Sequence, residues 1–386
     1  MPANAMSWYR PMVGRSADEE HRTATPLELF FDLCFVVAVA LAANRLHHAI
    51  TDDHIGHGVF SYLSVFFAIW WAWMNFTWFA SAYDTDDGVY RLTTLVQIAG
   101  VLVLAAGVPR AFDDQDFTVI TVGYVVMRLA MVVHWLRAAH ADPARRRGAL
   151  RFAAGIATVQ AGWVARLALP HGAAVPSFLV LVAAELAVPL WAERAASTPW
   201  HPRHIAERYG LFTLIVLGES VLAATTAVQS ALDEGTGAAG GLLSLAGAGV
   251  VIVFSMWWLH FDTPAHDLLT SMRAAFSWGY GHLVIFASVA AVGAGLQVNV
   301  DHVLHAAHVG ATTAGAAIAV PVALYLVSVW ALQVCPHQRG VIATAYPAAA
   351  LLVLATPFTP APVHATAAVL AALVVTTATT RRRPAS

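Results

Sequence analysis

Long apolar runs, each separated from the next by a short polar segment, repeat along the whole chain. Each run is about 20 residues long, which is the length an α-helix needs to cross the hydrocarbon core of a bilayer. Twelve such runs lie at 27–46, 58–80, 91–109, 117–137, 150–169, 175–192, 209–229, 241–260, 274–297, 309–333, 341–357 and 363–380. The pattern predicts an all-α polytopic membrane protein with about twelve transmembrane helices. The last two runs are interrupted by Pro347, Pro357, Pro360 and Pro362, so a count of ten or eleven also stays open.

The composition agrees with this prediction. The 386 residues are 59% hydrophobic and 11% charged, whereas a soluble domain carries about 25% charged residues. A formal net charge of −2 offers no basic surface for a nucleic acid. The chain has no lysine, which excludes Schiff-base and P-loop lysine chemistry. Its two cysteines, Cys34 and Cys335, lie in or beside apolar runs and have no metal-binding spacing. We therefore expect the lipid bilayer as the main partner, and no cofactor.

The arginines predict the orientation in the membrane, because cytoplasmic loops carry an excess of basic residues. Successive connections between helices lie on opposite sides of the membrane, and most arginines fall in the connections of one side and in the C-terminus. These arginines are Arg91, Arg137, Arg145, Arg146, Arg147, Arg151, Arg194, Arg203, Arg208, Arg273, Arg339, Arg381, Arg382 and Arg383. With both termini in the cytoplasm, the predicted organisation is an N-terminal tail at 1–26, a six-helix half at 27–192, a cytoplasmic connection at 193–208, a second six-helix half at 209–380 and a basic tail at 381–386.

A short internal similarity supports this division into halves. The motif Trp70-Trp71-Ala72-Trp73-Met74-Asn75-Phe76 is similar to Trp257-Trp258-Leu259-His260-Phe261-Asp262, which follows 187 residues later. The same offset places Asp32 opposite Glu219. Because six helices per half give both halves the same orientation, the sequence predicts two parallel six-helix repeats, an arrangement known in transporters. Coincidence between two aromatic-rich helix ends is the alternative.

Longer motifs point to one family. They are Thr25-Pro-Leu-Glu-Leu-Phe-Phe-Asp-Leu-Cys-Phe, Trp70-Trp-Ala-Trp-Met-Asn-Phe-Thr-Trp-Phe-Ala-Ser-Ala-Tyr-Asp-Thr-Asp-Asp, Pro109-Arg-Ala-Phe, His204-Ile-Ala-Glu-Arg-Tyr-Gly-Leu-Phe-Thr-Leu-Ile-Val-Leu-Gly-Glu-Ser and Trp257-Trp-Leu-His-Phe-Asp. Together they resemble the bacterial low temperature requirement protein A family, from about Thr25 to the ninth or tenth predicted helix. The resemblance implies a multi-pass protein of the bacterial cytoplasmic (inner) membrane. It brings no reaction and no transported substrate.

A looser similarity concerns ion conduction. The triplet Phe30-Phe31-Asp32 resembles the Phe-Ser-Asp signature of the six-helix-repeat lysosomal potassium channel family. The arginine expected four residues before the phenylalanine is replaced by Pro26. This similarity is weak support for an ion pathway.

The first apolar run contains two carboxylates, Glu28 and Asp32, which share one helix face because they are four residues apart. Acids inside a membrane span are costly and mark functional sites by default. Thr25 and Glu28 also fit a capping box, with Pro26 at the first helical position, so Glu28 is interpreted mainly as a cap. Asp32 lies one turn deeper and is interpreted as a functional or paired acid.

Four further residues complete the set of ion- or substrate-binding candidates. Glu219 lies near the middle of the seventh predicted helix between Gly218 and Ser220, and burial as a packed or protonated acid is its alternative. Arg128 in the fourth helix needs a counter-charge, for which Glu185 in the sixth helix or Asp32 is available, and a structural ion pair is favoured over a gating or substrate-anion role. Asn75 is either part of a polar path or an interhelical hydrogen bond.

Other polar residues receive simpler interpretations. His204, Glu207 and Arg208 precede the seventh apolar run and are interpreted as cytoplasmic caps and anchors. The tryptophans at the predicted cytoplasmic helix ends are interpreted as an interfacial belt rather than a cation-binding cage; they are Trp70, Trp71, Trp73, Trp78, Trp257 and Trp258. Histidines of the outer connections, such as His47 and His308, are interpreted as solvated, with a transition-metal site as the alternative. No metal ligand is therefore assigned.

These residues favour a proton- or cation-coupled transporter or channel built from two halves, with Asp32 and Glu219 as equivalent acids and Glu28 at one mouth. A small ion or solute would be the partner, and oligomerisation is compatible with the sequence. The first alternative is a non-catalytic membrane sensor or scaffold linked to growth in the cold. The second is a lipid-acting membrane enzyme, although common enzyme motifs are missing from the sequence.

Overall fold

The computed structural model describes residues 7–16, 19, 22–233 and 239–381. These residues form twelve α-helices and no strand. The helices are α1 (Pro26–Thr51), α2 (Ile55–Tyr83), α3 (Gly88–Asp113), α4 (Thr118–Ala141), α5 (Arg146–Arg166), α6 (Ala174–Glu193), α7 (Pro202–Asp233), α8 (Ala239–Phe261), α9 (Met272–Val303), α10 (Ala311–Val329), α11 (Val341–Ala355) and α12 (Pro362–Arg381). The predicted all-α architecture is confirmed.

Eleven of the described helices are long and apolar enough to cross a membrane. The exception is α5, which matches the predicted run at 150–169 but carries Arg146, Arg147, Arg151 and Arg166. Charged side chains interrupt its apolar surface, and α5 packs between α4 and α6. The chain is therefore an all-α polytopic membrane protein, as the hydrophobic pattern predicted.

The chain divides into two compact units. Unit 1 comprises the described residues of Met1–Ala38 and Ala68–Arg208, and unit 2 those of Val39–Phe67 and Tyr209–Ser386. Residues of α1, α2 and α7 belong to both units, because each of these helices continues across a unit boundary. The predicted arrangement of two parallel six-helix halves, at 27–192 and 209–380, stays a prediction.

Small residues let the helices of unit 1 approach one another closely. α3 packs against α4, which also packs against α5, and α5 packs against α6. A Cβ added at Gly100 would lie 2.9 Å from the carbonyl oxygen of Gly123 and 2.7 Å from Cγ of Met127. Such contacts permit the backbones of α3 and α4 to meet, which is the usual means of helix association in membranes.

The N-terminal segment of unit 1 is docked against the α2–α3 connection. The backbone N–H of Arg10 donates to Oδ2 of Asp87 at 2.7 Å, and the N–H of Arg15 donates to the carbonyl of Ala82 at 2.8 Å. Parts of the predicted tails, at residues 1–6, 17–18, 20–21 and 382–386, lie outside the described residues. The cytoplasmic side assigned to both tails stays a prediction.

Unit 2 is built around the long helix α9. This helix packs against α10, α10 packs against α11, and α12 packs against α8. The side-chain amide of Asn299 donates to the carbonyls of Gly295 and Ala314, at 2.8 and 2.7 Å, and ties α9 to the first turns of α10. The buried residues of α9 are mostly alanine, valine and glycine, so its neighbours pack close to its backbone.

Candidate functional site

The start of α1 places two carboxylates in the interior of unit 1. The backbone N–H of Thr25 donates to Oε2 of Glu28 at 2.7 Å, and the N–H of Glu28 donates to Oγ1 of Thr25 at 3.3 Å. This is a capping box, as the sequence predicted. Glu28 and Asp32 are both 0% exposed, and their spacing of one turn puts them on the same helix face. Capping is therefore only part of what Glu28 does.

Asp32 is held by a bidentate ion pair with Arg208. Nε of Arg208 donates to Oδ2 of Asp32 at 2.8 Å, and NH2 donates to Oδ1 at 2.6 Å. The indole N–H of Trp73 donates to the same Oδ1 at 2.7 Å. Arg208 itself is 0% exposed. Since a buried charge is tolerated only when it is paired and hydrogen-bonded, Arg208 and Trp73 supply the partners that a buried carboxylate at Asp32 requires.

Glu28 shares the same arginine. Its Oε1 lies 3.0 Å from NH1 of Arg208, 3.1 Å from Nε2 of His204 and 3.5 Å from NH2 of Arg22. The side chains of Glu28, His204 and Arg208 are all fully buried in unit 1. Arg208 therefore bridges both acids of α1, while His204 and Arg22 lie near the same oxygen of Glu28.

A third carboxylate joins through Arg22. NH2 of Arg22 lies 3.6 Å from Oδ2 of Asp84, which follows the last residue of α2, and it donates to the carbonyl of Ala80 at 3.1 Å. Burial and the nearby charge of Glu28 raise the pKa of Asp84 to about 6. We call the connected group the carboxylate cluster; it consists of Arg22, Glu28, Asp32, Asp84, His204 and Arg208.

The carboxylate cluster has unmet hydrogen-bonding capacity. Buried polar atoms in proteins nearly always have a hydrogen-bond partner. Six side-chain atoms of the cluster are buried without a hydrogen-bond partner among the described residues. The hydroxyl of Tyr90, which is not part of the cluster, is also buried without a partner. The six are Nε of Arg22, Oε1 of Glu28, Oδ2 of Asp84, Nδ1 and Nε2 of His204, and NH1 of Arg208. Unsatisfied buried groups are costly, so their concentration in one cluster points to a role beyond packing.

Glu185 organises a second buried polar group in unit 1. Its Oε1 accepts from the Tyr124 hydroxyl at 2.8 Å, from Nε2 of Gln160 at 2.9 Å and from Nε1 of Trp163 at 3.3 Å. Its Oε2 accepts from Nε1 of Trp71 at 2.8 Å and from NH2 of Arg128 at 2.9 Å. The counter-charge of Arg128 is thus Glu185, one of the two acids that the sequence offered. Five donors on one carboxylate favour a structural role for this Glu185 centre.

Among the described residues, neither Asn75 nor Glu219 forms a hydrogen bond or ion pair with the charged side chains of these two groups. Asn75 donates to the carbonyl of Trp71 at 2.8 Å, within its own helix. Glu219, in the part of α7 that belongs to unit 2, is half-buried and makes no hydrogen bond or ion pair among the described residues. Its neighbour Ser220 donates to the carbonyl of Val289 at 3.0 Å. The predicted equivalence of Asp32 and Glu219 stays a prediction, and the surroundings of the two acids differ.

Two interpretations of the sequence are wrong. His204 and Arg208 are not anchors at a helix end, because both side chains are fully buried and contact the acids of α1. Trp71 and Trp73 are not part of an interfacial belt, because both are 0% exposed and donate hydrogen bonds to Glu185 and Asp32. A usable signal existed for Arg208, since a buried Asp32 requires a cation and Arg208 directly precedes the seventh apolar run.

Two histidines of the outer connections each lie close to an aspartate. Nε2 of His47 lies 2.6 Å from Oδ2 of Asp301, and Nδ1 of His308 lies 3.7 Å from Oδ1 of Asp52. Among the described residues, no group of three His, Cys, Asp or Glu side chains is placed to hold a metal ion. The alternative of a transition-metal site in these connections therefore gains no support.

Comparison with known proteins identifies the family. Residues 23–380 match the family model of the bacterial low temperature requirement A protein (LtrA). One similar protein is the uncharacterized protein RA0937 of Rhizobium meliloti (strain 1021), which is 26% identical over 327 residues, covering 78% of this chain and 74% of that relative. Since the family match extends over nearly the whole sequence, the chain belongs to the LtrA family, as its motifs suggested.

Proposed function

We propose that this LtrA-family chain moves protons across the bacterial cytoplasmic membrane, either alone or coupled to a cation or small solute. The proton would bind at the carboxylate cluster of unit 1. Ionisable residues inside membrane proteins are rare and costly, and they recur in proton relays and substrate pathways. The cluster brings three acids, two arginines and a histidine together within one buried region.

The charge balance of the cluster is the observation that carries this proposal. Asp32, Glu28 and Asp84 can supply three negative charges, whereas Arg22 and Arg208 supply two positive charges. A net buried negative charge is unfavourable in a low-dielectric interior. One proton, held by Asp84 or by the imidazole of His204, balances the cluster. The cluster therefore has the stoichiometry of a site that binds one proton.

The distances suggest how that proton moves within the cluster. NH2 of Arg22 lies 3.6 Å from a carboxylate oxygen of Asp84 and 3.5 Å from Oε1 of Glu28. Nε2 of His204 lies 3.1 Å from the same oxygen of Glu28. An imidazole exchanges protons near neutral pH. A proton that leaves Asp84 would restore its negative charge, and the gain of that proton by Glu28 or His204 would keep the cluster neutral.

Arg208 gives the cluster a means of responding to protonation. The guanidinium contacts Glu28 through NH1 and Asp32 through Nε and NH2. Protonation of Glu28 would remove one of its two anionic partners and leave the bidentate pair with Asp32. Such a change in pairing is the kind of differential contact by which a bound proton shifts a protein between two states.

The experiment is proton flux into proteoliposomes, driven by an imposed potential and followed with an enclosed pH-sensitive dye. We expect Glu28→Gln and Asp32→Asn to lose most of the flux at equal amounts of folded protein. Asp86→Asn is the matched control, because the half-exposed side chain of Asp86 pairs with the half-exposed Arg91. Only the backbone N–H of Asp86 contacts the cluster, at Oδ1 of Asp84, and the substitution keeps that N–H. If the native protein transports protons and Glu28→Gln keeps the full proton flux, the proposal is contradicted. A native chain without flux would favour the sensor or scaffold alternative, in which the cluster is a purely structural network.

Glu219 is tested in the same assay. The predicted repeat makes it a second ion-binding acid, and its carboxylate has no ion pair among the described residues that its amide would break. We therefore expect Glu219→Gln to lower flux without changing stability. Unchanged flux would remove Glu219 from the set of candidate ion-binding residues, and the role of the carboxylate cluster would be unaffected.

A further inference from the structure

A long apolar groove lies within unit 2. It has a volume of about 510 Å³ and is formed by the end of α1, the start of α2, the middle of α9 and the first part of α10. This volume falls within the range of about 300–1,000 Å³ that is typical of small-molecule sites. None of its lining residues belongs to unit 1 or to the carboxylate cluster. The groove is therefore a separate feature of the molecule.

Each helix that forms the groove contributes one face to its wall, and small residues line the groove where α9 and α10 meet. Lining residues recur about every four positions along α2, α9 and α10, which is the spacing of one helix face. In the middle of the groove α9 and α10 contribute Ala287, Ala291, Ala316 and Ala317. Larger side chains at these positions would fill the space. The concavity is thus a consequence of alanine at four neighbouring positions.

The groove extends from the helix ends to the middle of the membrane-spanning helices. One end is lined by Ile50 and Ile55, which flank the α1–α2 connection, and by Thr312 in the first turn of α10. The other end is lined by Leu324, twelve residues further along α10. At 1.5 Å per residue, this stretch of α10 is about 18 Å long. The hydrocarbon core of one leaflet is about 15 Å deep, so the groove matches the depth of a single leaflet.

The open side of the groove is apolar. Leu63, Val320 and Leu324 on its walls are 54%, 45% and 49% exposed, and in a membrane-spanning protein such side chains contact lipid. The Tyr62 hydroxyl already donates to the carbonyl of Ala287 at 2.6 Å. The other hydroxyls of the lining belong to Ser288, Thr312 and Thr313, and the remaining side chains are apolar. Without a charged group, the lining offers an ion little to bind, whereas an apolar chain would bury hydrophobic surface.

We propose that this groove binds one acyl chain of a membrane lipid. The chain would enter at the helix ends, beside the lipid headgroups, and would extend to the mid-membrane end at Leu324. The apolar lining and the match to the depth of one leaflet together favour a lipid chain over a polar solute. A second copy of this protein is the competing occupant, and the experiment is designed to distinguish the two.

The experiment uses the full-length protein in nanodiscs that contain a phospholipid with a photoactivatable diazirine on one acyl chain. After illumination, mass spectrometry compares labelling of α10 around Leu324 with labelling of α11 around Leu351, which is 70% exposed outside the groove. We expect stronger labelling per exposed residue on α10 than on α11. Equal labelling of the two helices would overturn the proposal, because it would show only general contact with lipid.

Groove-filling variants provide the second comparison. Ala316→Phe, or the milder Ala316→Leu, should lower α10 labelling several-fold and leave α11 labelling unchanged. Leu351→Phe is the matched control, and it should change the labelling of α10 and of α11 only slightly. A monodisperse peak in size-exclusion chromatography serves as the check that each variant is folded. Labelling of α10 that is insensitive to Ala316→Phe would contradict a chain bound in the groove.

The competing occupant gives a different result. If a second copy covers the groove, native α10 labelling should be weak, and Leu324→Cys, with Cys34 and Cys335 replaced by serine, should crosslink two chains. That result would overturn the lipid proposal. Strong α10 labelling without a crosslink would support it.

Discussion

Arg208 donates hydrogen bonds to both carboxylate oxygens of Asp32, from Nε at 2.8 Å and from NH2 at 2.6 Å, and both side chains are buried in unit 1. The same guanidinium reaches Glu28 at 3.0 Å through NH1. One arginine therefore serves two acids of α1. The remaining members of the carboxylate cluster, Arg22, Asp84 and His204, surround this core and determine its net charge.

Removal of Arg208 should strongly destabilise the protein. Arg208→Gln would leave Asp32 and Glu28 buried with less positive charge, and breaking a buried ion pair typically costs about 3–5 kcal/mol. We expect a large fall in the thermal midpoint measured by size-exclusion chromatography in detergent. Adding Asp32→Asn should recover part of that loss. Arg91→Gln, which breaks a half-exposed pair, should cost about 1 kcal/mol or less.

Trp73 should contribute through one hydrogen bond. Trp73→Phe keeps a buried aromatic ring but removes the indole N–H that donates to Oδ1 of Asp32 at 2.7 Å. Loss of a donor to a buried charged group costs about 1–3 kcal/mol. The thermal midpoint should fall, and Trp258→Phe should have little effect because Trp258 is 46% exposed. Equal effects of the two substitutions would contradict the assigned role of Trp73.

Asp84 should make stability depend on pH in the acidic range. Its pKa is raised from 3.8 to about 6 in the folded protein, mainly by burial, so the folded state binds this proton more tightly than the unfolded chain. The free energy of unfolding should therefore fall as pH rises from about 4 to about 6 and change little above that range. The difference in pKa corresponds to about 3 kcal/mol at most.

The measurement is the denaturation midpoint in detergent at several pH values. Asp84→Asn should remove the contribution of this group, whereas Asp86→Asn should retain it. An identical pH dependence in the native protein and Asp84→Asn would show that another group is responsible.

The Glu185 centre should behave as a structural pair. Glu185→Gln leaves the Arg128 guanidinium buried without its counter-charge, which should cost about 3–5 kcal/mol. Arg128→Gln combined with Glu185→Gln should recover much of this loss, because both charges are then removed together. Flux per folded molecule should be retained in the double variant. A folded double variant that has lost all flux would instead assign Arg128 and Glu185 to the ion pathway.

Much of the fold could be predicted because hydrophobic runs of membrane-spanning length are a strong signal. The fifth helix shows the limit of that signal. The apolar run predicted a helix at 150–169, whereas the helix extends from Arg146 to Arg166 and has arginines near both ends. It packs against α4 and α6. The capping box at Thr25 and Glu28 was predictable, because it depends on residues three positions apart.

The partners of the acids were harder to predict because they are distant in sequence. Asp32 and Arg208 are separated by 176 residues, and no local spacing links them. Arg208 follows a polar connection, so its position alone favoured a membrane anchor. Trp73 lies among other tryptophans that resemble an interfacial belt, and only the packing of α2 in unit 1 shows that its N–H meets Asp32.

The most direct test of the account is the pH dependence of proton flux in proteoliposomes. If Asp84 supplies the exchangeable proton of the carboxylate cluster, native flux should change with an apparent pKa near 6. Asp84→Asn should lose this inflection, and Asp86→Asn should keep it. Proton flux with the same pH profile in all three proteins would contradict the claim that the cluster binds the transported proton.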